Sequence, residues 1–144
     1  MLHNKAVGKE VKCLSNLIKR KLDSSVYGKK LENLTGTHGW VLRYLIEREE
    51  IDVFQKDLEK EFSIRRSTAT SILKRMEENG LIVRESVDYD ARLKKLKLTP
   101  KAYEIHTGIV NEIKNLENVL KKDISQQELE TFFSVIDKIK KNIL

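Results

Sequence analysis

Apolar residues recur at helical spacing along most of this 144-residue chain and alternate in one short stretch. Val7, Val11, Leu14, Ile18 and Leu22, widened by Leu17, predict a first helix over residues 5–26, with a stop at Tyr27-Gly28. Residues 29–36 read as a polar connection. Thr37 can then cap a second helix carrying Trp40, Val41, Tyr44, Leu45 and Arg48. An acidic stretch ends in Val53-Phe54, which predicts a short strand. A helix from Gln55 buries Leu58 and Phe62, and Asp52 with Gln55 can box its start. The next helix, Arg66 to Asn79, places Ala69, Ile72, Leu73 and Met76 on one face. That face must be buried. Ser67, Thr70, Ser71, Lys74 and Glu78 lie on the other, and Asn79-Gly80 ends the helix.

Beyond Gly80 the period changes. Leu81 to Val87 is an apolar, β-branched strand, Asp88 to Arg92 a polar turn. In Leu93 to Leu98 the side chains of Leu96 and Leu98 alternate with Lys95 and Lys97. The hairpin therefore has a greasy face for the helices and a cationic face outside. Thr99-Pro100 opens a long helix with Tyr103, His106, Ile109, Val110, Ile113, Leu116 and Leu120 on one stripe. Ser125 and Glu128 box the start of the last, which repeats Leu129, Phe132, Phe133, Ile136, Ile139 and Ile143. The predicted fold is mainly α with a small β wing, an α+β arrangement. Its order is two helices, a short strand, two helices, a two-stranded hairpin and two helices.

Composition narrows the class. The length suits one domain, 1–144. No apolar run approaches the roughly 20 residues of a membrane span, and the first residues lack the apolar core of a signal peptide, so a cytoplasmic location and no membrane partner are expected. A single cysteine excludes an intrachain disulfide framework and a cysteine-based zinc ribbon. The net charge is +6, mostly from the first 36 residues. Basicity favours a polyanionic partner. The placement of Arg65, Arg66, Lys74, Arg92, Lys94 and Lys95 argues that more strongly than the total. No nucleophile elbow, phosphate-binding glycine loop or metal motif is present, so neither enzymatic activity nor a cofactor is expected.

Small hydroxyls and arginines at the start of an exposed helix suit a DNA major groove. Hydroxyls can bond bases or phosphates, and arginine can bond guanine bidentately. A helix N-terminus adds positive potential there. Arg92, near the hairpin tip, can enter a minor groove, and Asp90 can orient its guanidinium.

The run Phe62-Ser63-Ile64-Arg65-Arg66-Ser67-Thr68-Ala69-Thr70, then Leu73 to Arg84, then Asp90-Ala91-Arg92-Leu93-Lys94 and Leu98-Thr99, resembles the MarR family of winged helix-turn-helix regulators. The likeness is dense over residues 53–102. It departs at Ser63, where glycine is usual, at Arg65, where a small capping residue is usual, at Phe54, a usual cap position, and at Ala102, a usual glycine. The resemblance implies a homodimer that binds double-stranded DNA. Residues 37–99 would form the DNA-binding core, and 5–36 with 100–144 the dimerisation helices. Arg65, Arg66, Ser67, Thr68, Thr70, Ser71 and Lys74 would serve the recognition helix. Asp90, Arg92, Lys94 and Lys95 would serve the wing.

Three further sites follow from the family. Some members bind small molecules between reading head and dimerisation helices, where Trp40, Arg43 and Tyr44 could line a cleft; core packing explains Trp40 and Tyr44 equally well. A peroxide-sensing subgroup has a reactive cysteine near the position of Cys13, which reads otherwise as a small, partly exposed side chain. A zinc-sensing subgroup draws ligands near His38 and His106. Here Val110, four residues past His106, cannot ligate, so no metal site is expected. The reading is a homodimeric transcriptional repressor released by a small-molecule or oxidant signal. The competing reading is a winged-helix protein-interaction module without DNA binding.

Overall fold

A computed structural model describes residues 5–24 and 36–144. The elements run α1 (Val7–Asp23), α2 (Gly36–Glu47), α3 (Gln55–Glu61), α4 (Arg66–Glu78), β1 (Ile82–Val87), β2 (Asp90–Leu98), α5 (Pro100–Lys121) and α6 (Gln126–Ile143). They divide into two compact units, one ending at Ile113 and the other Lys114–Leu144. No helix among the described residues is long and apolar enough to cross a membrane.

The core of the first unit follows the periodicity at α4 and adds Leu42 and Ala102, which it did not mark. Val41, Leu42 and Leu45 of α2, Leu58 of α3, and Ile72, Leu73 and Met76 of α4 are buried. Leu81, Ile82 and Leu96 close it from the hairpin, and Ala102, Ile109 and Ile113 from α5. Gly39 lets α2 and α5 approach closely, because a Cβ there would meet Ile109 Cγ2 at 3.3 Å. The α5 stripe is therefore centred on Ala102, Ile109, Ile113 and Leu116, while Tyr103 is exposed at its edge.

Two left-handed turns frame the helix pair. α4 ends in a Schellman motif: Leu81 N–H donates to the Met76 carbonyl at 2.9 Å and Gly80 N–H to the Glu77 carbonyl at 2.9 Å. Gly80 takes φ +69°, which glycine adopts freely. α3 ends likewise. Ile64 N–H donates to the Glu59 carbonyl at 3.0 Å, and Ser63 stands at φ +50°. A glycine would suit that position; the serine holds it at a steric cost.

The hairpin pairs antiparallel from Ile82–Leu98 to Ser86–Lys94, and then Val87 pairs with Asp90. Ala91, Arg92 and Leu93 thus bulge out of β2 with no register partner on β1. The expected third strand is reduced to one bond, Leu96 N–H to the Val53 carbonyl at 2.8 Å. Val53 is buried there, but a single bond does not make a ladder.

Several helix starts differ from the sequence reading. α1 ends at Asp23, short of residue 26. The stop at Tyr27-Gly28 and the connection over 29–35 lie outside the described residues. Thr37 is already helical, because α2 begins at Gly36. Asp52 does not box α3: its N-cap is Phe54, whose N–H donates to the Asp57 carboxylate at 2.8 Å. Asp52 instead accepts from the Tyr89 hydroxyl at 3.1 Å. The caps expected further on are present. Thr99 precedes α5: its hydroxyl accepts from Ala102 N–H at 3.4 Å and donates to the Gly80 carbonyl. Ser125 accepts from Glu128 N–H at 3.1 Å, while Ser125 N–H donates to the Glu128 carboxylate at 2.8 Å.

α1 and α6 each bury no residue. Val7, Val11, Leu14 and Leu17 are exposed on α1, and Phe132, Phe133, Val135 and Ile143 on α6.

Candidate nucleic-acid interface

α4 turns its apolar face inward and its polar face to solvent. Ala69, Ile72, Leu73 and Met76 are buried, whereas Arg65, Arg66, Ser67, Thr68, Thr70, Ser71 and Lys74 are all exposed. Arg65 is the N-cap but no side chain caps the helix. The first N–H groups of α4 are therefore left without a side-chain cap, and exposed Arg65 and Arg66 stand at that end of the helix, an arrangement that favours an anion.

The helix is held from both ends. At its C-terminus Lys101 Nζ donates to the Asn79 carbonyl at 2.7 Å. Along its flank Arg84 of β1 donates from Nε to Glu77 at 2.7 Å and from Nη1 to Gln55 Oε1 at 3.4 Å. Gln55 Nε2 in turn donates to Thr70 Oγ1 at 2.9 Å and to the Arg66 carbonyl at 3.3 Å. Thr70 is thus exposed yet held from within the protein.

At the wing tip the most exposed cation is Arg92. Arg92, at the centre of the β2 bulge, has a side chain 89% exposed. Asp90 grips it as the sequence suggested: Nε donates to Oδ1 at 3.2 Å, Nη2 to Oδ2 at 3.1 Å, and the Arg92 N–H to Oδ1 at 2.9 Å. The Arg92 hydrogen bonds hold the Asp90 carboxyl below its ordinary range, and the same pair raises the guanidinium further. Tyr89, beside them, rests edge-on against Phe54 at 6.5 Å and ties the tip to Asp52.

The rest of the wing differs from a uniformly cationic face. Lys95 lies 3.7 Å from Asp52 and 3.9 Å from Glu85, and Lys97 lies 3.4 Å from Glu85. Acids interleave with these lysines, so their charge is largely compensated locally. Lys94 donates to Ser86 at 2.6 Å across the hairpin. Asp90 and Arg92 stand together as one unit; Lys95 belongs to another cluster.

Trp40, Arg43 and Tyr44 of α2 each have partners among the described residues. Trp40 lines a cleft of about 240 Å³ with Ser15, Ile18, Lys19, Leu22, Thr37 and Phe62. Arg43 pairs with Glu47 at 2.9 Å, one turn on along α2. Tyr44 packs edge-on to Phe62 at 5.9 Å, with the Arg48 guanidinium 3.8 Å above its ring. Cys13 is exposed on α1. His38 is buried in α2, and His106 Nδ1 lies 2.7 Å from the Tyr103 carbonyl.

Sequence reasoning missed Gln55, Glu77, Arg84 and Tyr89, which position the site rather than form it. Their partners lie 7 to 37 residues away in the chain and on other elements, beyond any local periodicity.

Residues 32–93 match the family model for the MarR family. The fold also matches a crystallised transcription regulator MarR from Oenococcus oeni PSU-1 at 32% identity, over 94% of this chain and 99% of that one, with a TM-score of 0.79. The chain belongs to the MarR family. It has the mostly helical, two-stranded winged-helix fold of MarR transcription regulators. S. aureus MepR, solved as a DNA complex, shares that fold at 22% identity, 96% and 97% coverage and a TM-score of 0.82. The heme sensor PefR from Streptococcus agalactiae, solved with heme, is 28% identical over 96% and 94%, with a TM-score of 0.62.

Proposed function

We propose that this MarR-family protein is a sequence-specific DNA-binding repressor that works as a homodimer. One observation carries the reading: the buried face of α4 is wholly apolar, while its exposed face is wholly hydroxyl, basic or acidic and begins with an uncapped N-terminus. Arg65, Arg66, Ser67, Thr68, Thr70, Ser71 and Lys74 then meet the major groove, with phosphate contacts fixing register and base contacts giving specificity. Arg92, oriented by Asp90, enters the adjacent minor groove. Lys94 adds a phosphate contact; Lys95 adds mainly long-range field.

The exposed stripes of α1 and α6 support the dimer. Contiguous apolar faces of this length in one chain call for a partner surface, and a second copy supplies it with two-fold symmetry. Such a dimer sets two α4 helices on half-sites about 10 bp apart, which requires a pseudo-palindromic operator.

A small molecule that occupies the cleft between α1 and α2 would bear on Trp40 and Lys19, change the spacing of the two heads and release the DNA. The similarity of the fold to the heme sensor PefR, solved with heme, supports an effector here.

Selection of bound duplexes from a random pool tests the reading. The expected product is an inverted repeat with half-sites about 10 bp apart. Recovery of no enriched sequence would favour the protein-interaction module instead.

A further inference from the structure

The bonds around Gln55 fix more than the position of α4. Arg84 is anchored on Glu77 at 2.7 Å and turns its second nitrogen to Gln55 Oε1. A cation on that side makes the oxygen face Arg84 and the NH2 face α4. The two NH2 hydrogens then go to Thr70 Oγ1 at 2.9 Å and the Arg66 carbonyl at 3.3 Å.

This decides which way the Thr70 hydroxyl acts. A threonine within a helix ordinarily donates its proton back to the carbonyl four residues earlier, here Arg66. That carbonyl already accepts the Thr70 N–H of the helix ladder and, from Gln55, a second hydrogen bond. A carbonyl oxygen has two lone pairs, and both are engaged. Gln55 also occupies one lone pair of Thr70 Oγ1. The hydroxyl proton is left to point off the exposed face of α4.

We propose that Gln55, held by Arg84 and Glu77, is a specificity-determining positioning residue that makes Thr70 a hydrogen-bond donor to the DNA. This rests on the DNA-binding reading given above. A donor in the major groove selects acceptor edges: purine N7, guanine O6 or thymine O4. It favours those acceptors over the amino groups of cytosine and adenine, which can meet only the second Thr70 lone pair. Gln55 itself reads no base.

Gln55→Glu tests the assignment, because it preserves shape and strengthens the pairing with Arg84 but replaces the NH2 donor with a carboxylate acceptor. The Thr70 proton then turns inward to the carboxylate, and Thr70 shows lone pairs to the groove. Random-pool selection is run on wild type, Gln55→Glu, Gln55→Ala and Thr70→Val, each checked by thermal melting. At one step per half-site the wild type is expected to prefer an acceptor edge by about fivefold. Gln55→Glu is expected to shift that step towards cytosine N4 or adenine N6, with the other positions of the motif kept. Thr70→Val and Gln55→Ala are expected to lose the preference at the same step. A folded Gln55→Glu protein that selects the wild-type motif unchanged overturns the assignment while leaving DNA binding intact. A uniform weakening at every position also overturns it, by showing a merely structural or electrostatic role. A wild type that enriches no duplex overturns the DNA reading itself, and with it the role of Gln55.

Discussion

Replacing Arg65 by serine separates stability from binding at one position. Arg65 is the N-cap of α4, with extended backbone at φ −77° and ψ 157°, and it makes no capping bond. Serine at such a position accepts from an N–H in the first turn and stabilises a helix by about 1 kcal/mol. For a chain of this length that raises Tm by about 2–4 °C, measured at fixed protein concentration. The same change removes a cation beside the uncapped N–H groups. Each lost phosphate contact flattens the dependence of log K on log salt by about 0.9, so two copies per dimer flatten it by about 2. Arg65→Ser should therefore melt higher and bind its operator about tenfold or more weakly near 0.1 M salt. Scanning calorimetry and fluorescence anisotropy across a salt series give both numbers. An unchanged salt slope with a raised Tm would show that Arg65 is only a poor cap. An unchanged Tm would show that the start of α4 is already satisfied.

Three further outcomes are expected. Ser63→Gly removes the steric cost at φ +50° and, after the greater entropy loss of glycine, should stabilise the fold by about 0.5–1 kcal/mol in chemical denaturation, without changing DNA affinity. The Asp90 carboxyl should titrate below an ordinary aspartate in an NMR pH series, and return towards it in Arg92→Ala. A depressed carboxylate pKa means the grip is complete above the unfolded value and is lost only as pH falls through the lower, folded one, so the wing should keep its geometry at neutral pH; Arg92→Ala should also weaken operator binding by about 1–3 kcal/mol in gel shift. Phe132→Ser with Phe133→Ser should shift sedimentation from dimer to monomer; an unchanged dimer would place the interface elsewhere.

Most of the reading head is legible in the sequence because its signals are local. The i, i+3, i+4, i+7 spacing of Ala69, Ile72, Leu73 and Met76 sets the buried face of α4, and Gly80 sets its end. The Asp90–Arg92 pair sits two residues apart and declares itself. Ser63 and Arg65 stand out as departures, and the structure gives each a physical meaning: a strained turn and an absent cap. What sequence reading loses is tertiary. Asp52 looks like a cap for α3, but Tyr89, 37 residues on, takes it. Lys95 and Lys97 look like a bare cationic face until folding sets Glu85 opposite Lys95 in register. Val53 shows β character but has only Leu96 to pair with. Arg43 on α2 looks like a pocket cation until folding shows Glu47 beside it, and Tyr44 packs on Phe62, 18 residues on.

Dimethyl sulfate probing of the selected duplex bears most directly on where α4 lies. The reagent methylates guanine N7 in the major groove and adenine N3 in the minor. With the protein bound, guanines should be protected in two successive major grooves on one face of the duplex, about 10 bp apart, and adenines protected where Arg92 enters between phosphate walls. Guanine N7 as reactive in the complex as in free DNA would contradict insertion of α4.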